Sequence, residues 1–151
     1  MTENTENLIL IVDDDPCCRI PLAALLRHRG FTVISVENGL EAIQATLDCR
    51  PVLIVMDIDM PGMSGYAAAT EILASRGTAD VPIVGFSAND DVITRKRAFE
   101  AGMIDFVPKP WFEADIDRAL KHVSSARSKS RLTVRSTDPT GNGDSCDPTA
   151  A

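Results

Sequence analysis

A chain of 151 residues, 44% hydrophobic and 25% charged, has the composition of one soluble globular domain with a substantial core. Its formal net charge of -7 argues against a nucleic-acid partner held by a broadly basic surface. The acidity belongs to residues 1–123, because residues 124–151 carry four basic side chains against three aspartates.

The opening MTENTENLILIVDDD lacks a basic n-region, and aspartates break its apolar stretch. Neither a signal peptide nor a membrane span is expected, and the protein is placed in the cytoplasm. Residues 1–7 read as an N-terminal extension. A first strand is expected at Leu8–Val12, ending on Asp13, Asp14 and Asp15. Pro16 suits a first helical turn, whereas Pro21 lies deeper, so the first helix should start late or kink. Cys17, Cys18, Cys49 and Cys146 show neither CxxC spacing nor a disulfide framework, and reduced, mostly buried side chains are expected.

Further strands are expected at Phe31–Val36, Val52–Met56, Val81–Phe86 and Ile104–Val107. Leu40, Ile43 and Leu47, and later Phe112, Ile116, Leu120 and Val123, repeat near the helical period and predict core-facing stripes. Gly30, Gly77 and Gly102 fall where helices should stop, as residues able to take positive φ. Strands alternating with helix-length segments imply a parallel sheet wound with helices. From about residue 125 the sequence fills with Ser, Thr, Gly, Pro and Asp and predicts a disordered tail over 125–151.

Reactive side chains stand where the apolar runs end: Asp13, Asp14, Asp57, Ser87, and Lys109 between Pro108 and Pro110. In an open α/β sheet these carboxyl ends share one crevice. Asp13 to Asp15 could cap the following helix, but that accounts for one aspartate rather than three. Clustered carboxylates repel unless a cation intervenes, and hard oxygen ligands favour Mg²⁺. A carboxylate beside that metal and a lysine can act as nucleophile toward a phosphoryl group, with the Ser87 hydroxyl able to bond a phosphoryl oxygen.

Taken in order and spacing, VDDDP, MDIDMPGMSG, FSA and PKP resemble the receiver domain of two-component response regulators, over about residues 8–124. The resemblance implies a flavodoxin-like doubly wound (βα)5 fold with a parallel sheet of order 2-1-3-4-5. It implies that a phosphohistidine donor phosphorylates Asp57, that Asp14 and Asp57 ligate Mg²⁺, that Asp13 helps through water, and that the main-chain carbonyl of Asp59 adds a ligand. Lys109 would pair with the phosphoryl group, and Ser87 would move toward it. Phe106 would take the aromatic switch position, without a hydroxyl and therefore stabilised inward by burial alone. The Lys109-Pro110 bond is commonly cis in such domains. Phe106 replaces a frequent tyrosine, and Ser64 replaces a usual aspartate before Gly65.

The protein is thus expected to be a signalling phosphoacceptor rather than an ordinary enzyme, catalysing its own phosphorylation and dephosphorylation. Its expected partners are a sensor histidine kinase or a histidine phosphotransfer protein. Output would pass to a downstream protein or homodimer through the helix 4, strand 5 and helix 5 face, or the phosphoryl group would be relayed onward. The tail is too short for an effector domain. Two alternatives stay open: an unphosphorylated pseudo-receiver acting as a binding module, and a haloacid-dehalogenase-like phosphatase suggested by Asp57-Ile58-Asp59 but opposed by Pro61.

Overall fold

The computed structural model describes residues 7–123. The expected tail and most of the expected N-terminal extension lie outside the described residues, as does Cys146. Five strands, β1 (Leu8–Val12), β2 (Thr32–Val36), β3 (Leu53–Asp57), β4 (Ile83–Ser87) and β5 (Asp105–Pro108), form one parallel sheet of order β2-β1-β3-β4-β5. The helices are α1 (Pro16–His28), α2 (Gly39–Cys49), α3 (Gly65–Ala74), α4 (Val92–Glu100) and α5, helical over 113–123. The flavodoxin-like order expected from the resemblance is the order observed.

Alternation along the buried strands splits the core into two layers. Ile9, Ile11, Val55, Phe86 and Val107 pack with α1 and α5, while Leu10, Val12, Ile54, Met56 and Phe106 pack with α2, α3 and α4. Side chains buried on both faces explain why these strands read as unbroken apolar runs. Their carboxyl ends lie together at one edge of the sheet.

Several local expectations need correction. Helix α1 starts at Pro16, not late, with Asp15 as its N-cap accepting from the Cys17 N–H at 2.9 Å; Pro21 sits inside the helix. Pro21 has no N–H to offer the Cys17 carbonyl, four residues back. In α2 the core face is Gly39, Ala42 and Thr46, while Leu40 is 68% and Leu47 44% exposed. Small residues set α2 close to α3 and the sheet, and the leucines fall outside that contact. Phe112, 73% exposed, also departs from its stripe, which is made instead by Ile116, Ala119 and Val123. It lies just before α5, where its N–H donates to the Asp115 carboxylate at 2.8 Å.

Gly30 and Gly102 have the positive φ their positions require, but Gly77 lies in a short 3-10 turn without it. Helix α3, which Gly77 follows, ends on Ser75 in an extended conformation, and α2 ends on Arg50 in the left-handed region, at φ 49°. The cysteines Cys17, Cys18 and Cys49 are unpaired, yet Cys17 is exposed and the other two are half-buried, so mostly buried was too strong a reading. No helix among the described residues is long and apolar enough to cross a membrane.

Candidate functional site

Asp13 directly follows β1, and Asp57 is the last residue of β3. Those strands are neighbours, so the sheet itself brings the two carboxylates together. Both are buried at 5% exposure, whereas Asp14 faces outward. One carboxylate oxygen from each of Asp13, Asp14 and Asp57 lies within 4.8 Å of the others. Asp15 is absent from this group because its side chain caps α1. The helix-cap reading therefore holds for one of the three consecutive aspartates.

Lys109 follows β5 and reaches across the top of the sheet. Its Nζ donates to Asp13 Oδ2 at 3.0 Å and lies 3.4 Å from Asp57 Oδ1. The Lys109 N–H is anchored on the Ser87 carbonyl at 2.8 Å, and the Lys109-Pro110 peptide is cis. Further donors fix the acids: the Asp15 N–H to Asp13 Oδ1 at 3.0 Å, and the Asp59 N–H to Asp57 Oδ1 at 3.2 Å. The wholly buried Ser87 hydroxyl donates to Asp59 Oδ2 at 2.8 Å and accepts from the Asn89 N–H at 3.0 Å.

Burial pushes the Asp57 carboxyl up from 3.8 to about 6, and the charge of Asp13 pushes the same way; Lys109 and the Asp59 N–H oppose them. Burial works to lower the Lys109 pKa, but the hydrogen bond to Asp13 and the charges of Asp57 and Asp13 outweigh it, so the ammonium is held above its ordinary value. One ammonium thus faces several acids. The donor set, hard oxygens from converging carboxylates, fits a divalent cation of the magnesium kind.

Helix α3 abuts the site because Gly65 has no side chain. A Cβ there would stand 2.5 Å from the Asp57 carbonyl oxygen and 2.7 Å from Ile58 Cα, and the Gly65 N–H donates to the Ile58 carbonyl at 2.9 Å. Ser64, in place of an aspartate, caps that helix by accepting from the Ala67 N–H at 3.2 Å.

Phe106 is buried at 1% exposure, beneath the Arg95 guanidinium, whose carbon is 4.8 Å from the ring centroid. Burial alone therefore does not hold this ring, because a cation over its face adds an attraction that the missing hydroxyl does not affect. Arg95 also pairs with Asp90 at 2.6 Å.

Sequence reasoning brought Asp13, Asp14, Asp57, Ser87 and Lys109 together; the three aspartates and Lys109 meet, while the Ser87 hydroxyl bonds Asp59 instead. It missed Arg19, whose guanidinium donates to the Asp13 carbonyl at 2.8 Å, and Arg95; it also missed the use of the Asp59 side chain. The spacing of Arg19 four residues after Asp15 was a weak signal for a group turned back toward the strand end.

The family model described as the response regulator receiver domain matches residues 9–121. The DNA-binding response regulator MtrA of Mycolicibacterium smegmatis is 36% identical over 103 residues, covering 68% of this chain and 44% of that protein. The transcriptional regulatory protein PrrA of Mycobacterium tuberculosis is 32% identical over 137 residues, covering 91% and 58% respectively. The chain spans about half the length of the curated relatives it matches. Among solved structures, the receiver domain of the sensor histidine kinase PA1611 of Pseudomonas aeruginosa PAO1 superposes with a TM-score of 0.73 at 32% identity, covering 78% of this chain and 98% of that one. That protein has a magnesium ion coordinated in its active site cleft. The signal receiver domain of a histidine kinase from Syntrophus aciditrophicus gives a TM-score of 0.71 at 30% identity, covering 82% and 91%. A match over most of the chain, on a five-stranded parallel sheet whose strand ends carry the acids and the lysine, makes this protein a member of the response regulator receiver domain family.

Proposed function

We propose that this receiver is a phosphoacceptor that takes a phosphoryl group onto Asp57 from the phosphohistidine of a sensor histidine kinase or a histidine phosphotransfer protein. One observation carries the reading: the Lys109 ammonium lies 3.0 Å from Asp13 and 3.4 Å from Asp57, beside the three-carboxylate cluster. A carboxyl titrating at about 6 is largely ionised at neutral pH and remains basic enough to attack. An oxygen of Asp57 forms the new bond to phosphorus as the P–N bond breaks, and the imidazole leaves with the electron pair. Lys109 supplies a fixed positive charge for the phosphoryl oxygens.

Asp14 and Asp57 would hold Mg²⁺ directly, Asp13 through water, and the main-chain carbonyl of Asp59 would complete the protein ligands. The metal, when bound, neutralises charge on the transferring group. Ser87 and Phe106 are the switch residues. Output passes to a target protein or a second copy through α4, β5 and α5, where Val92, Ile93, Phe99 and Phe112 are exposed, or the phosphoryl group moves onward in a relay.

Radiolabelled acetyl phosphate, or a phosphohistidine protein, is expected to label the protein with Mg²⁺ present, and Asp57→Asn to abolish the label. Label that persists in that variant removes the nucleophile assignment. Label that persists in excess EDTA removes the metal. A wild-type chain that takes no label but still binds partners would be a pseudo-receiver.

A further inference from the structure

Resting on the phosphoacceptor reading, we propose that the Asp59 side chain is a positioning residue that restrains Ser87, and thereby sets how readily a phosphoryl group on Asp57 engages β4. The Ser87 hydroxyl carries one proton, and that proton is committed to Asp59 Oδ2 at 2.8 Å. Its lone pair meanwhile receives the Asn89 N–H at 3.0 Å. The hydroxyl is wholly buried, so no solvent competes for it. Asp59 also touches the nucleophile from its backbone, through the N–H bond to Asp57 Oδ1 at 3.2 Å. A single residue therefore contacts both groups that must come together.

A hydroxyl bonded to an ionised carboxylate makes a charge-assisted bond, stronger than a neutral one. A phosphoryl group on Asp57 offers a second anionic acceptor, and one proton cannot serve both. Recruiting Ser87 thus means releasing Asp59, and the strength of the released bond is subtracted from the gain. Asp59 is exposed, so water rehydrates its carboxylate after release and the opposition is moderate. Its charge would also repel the phosphoryl group directly, whatever Ser87 does. These two effects separate cleanly, because only the first passes through the hydroxyl.

The test titrates the full chain, with Mg²⁺, against beryllofluoride, following the bound species by fluorine NMR. Substitution at residue 59 keeps the backbone N–H that supports Asp57. Asp59→Ala is expected to tighten beryllofluoride binding about three- to tenfold. In a Ser87→Ala background the same substitution should change it by no more than about twofold, and a Ser87→Thr background, which retains a hydroxyl, should restore the larger effect. An equal gain with and without the hydroxyl overturns the restraint and leaves Asp59 a bulk charge. A wild-type chain that neither acetyl phosphate nor a phosphohistidine protein labels at Asp57 overturns the phosphoacceptor reading, and the restraint with it.

Discussion

Asp57 makes the metal-free protein's stability depend on pH in an unusual direction. Its carboxyl is raised in the folded state, by burial first, to about 6 from 3.8. A raised carboxyl contributes stability that is complete below the unfolded value and is lost as pH climbs through the folded one. Between pH 5 and 7.5 in EDTA, the fold should therefore weaken by on the order of 1–1.5 kcal/mol through this group, the rest of the loss falling below pH 5. Asp57→Asn should flatten that decline, and urea midpoints at the two pH values measure it. Equal declines in both proteins would show that Asp57 is not the group responsible. The acids, Lys109 and Ser87 were legible in the sequence because each ends an apolar run, and parallel strands place such ends together. The Arg95 cover on Phe106 and the Asp59 bond to Ser87 were not, since both depend on how a loop or helix turns a side chain toward a residue 11 and 28 positions away in sequence respectively.

At the scale of elements, close approach of α3 to β3 depends on a missing side chain. Gly65→Ala would drive a Cβ into backbone at 2.5 and 2.7 Å, and backbone cannot rotate away. Overpacking of this kind should cost about 1–3 kcal/mol or more, and the displaced strand end should slow labelling of Asp57. Gly39→Ala provides the contrast, because there the Cβ meets the flexible Met63 side chain, nearest at its sulfur, 2.8 Å away. It should stay within about 1 kcal/mol of wild type. Urea unfolding of both variants checks the pair, and equal costs would contradict this account. Strand positions were readable to within a residue or two because β1, β3 and β4 are buried apolar runs broken by a polar side chain only at their ends, while the partly exposed β2 still keeps three apolar residues in five. Helix faces were less readable: Leu40 and Leu47 satisfied the period of α2, yet Gly39, Ala42 and Thr46 took the core. Periodicity identifies a stripe, but it does not say whether bulk or closeness wins the contact.

For the molecule as a whole, the question is how far a new charge at Asp57 is felt. Phe106 is already buried beneath Arg95, so entry of that ring from outside is not available as the first event. The change should begin at Ser87, at the end of β4, and pass to α4. Only Ala98 of that helix is buried, while Arg97 stacks on Tyr66 of α3 at 4.3 Å from its ring centroid. A helix with so little apolar anchorage opens at low free energy. With Mg²⁺ and beryllofluoride, amide exchange over residues 92–108 should slow several-fold, and Ser87→Ala should remove that response while Asp57 still takes label. A response confined to the loops at Asp13–Asp15 and Asp57–Asp59 would support a pure relay. The contact between Lys109 and Asp13 spans 96 positions of sequence. Contacts of such separation form late, once the intervening chain has been ordered. A chain still being synthesised, or one trapped with β5 undocked, lacks the ammonium that compensates Asp13 and Asp57. On the phosphoacceptor reading, competence to receive a phosphoryl group would therefore be a property of the finished fold, and incomplete molecules would stay silent.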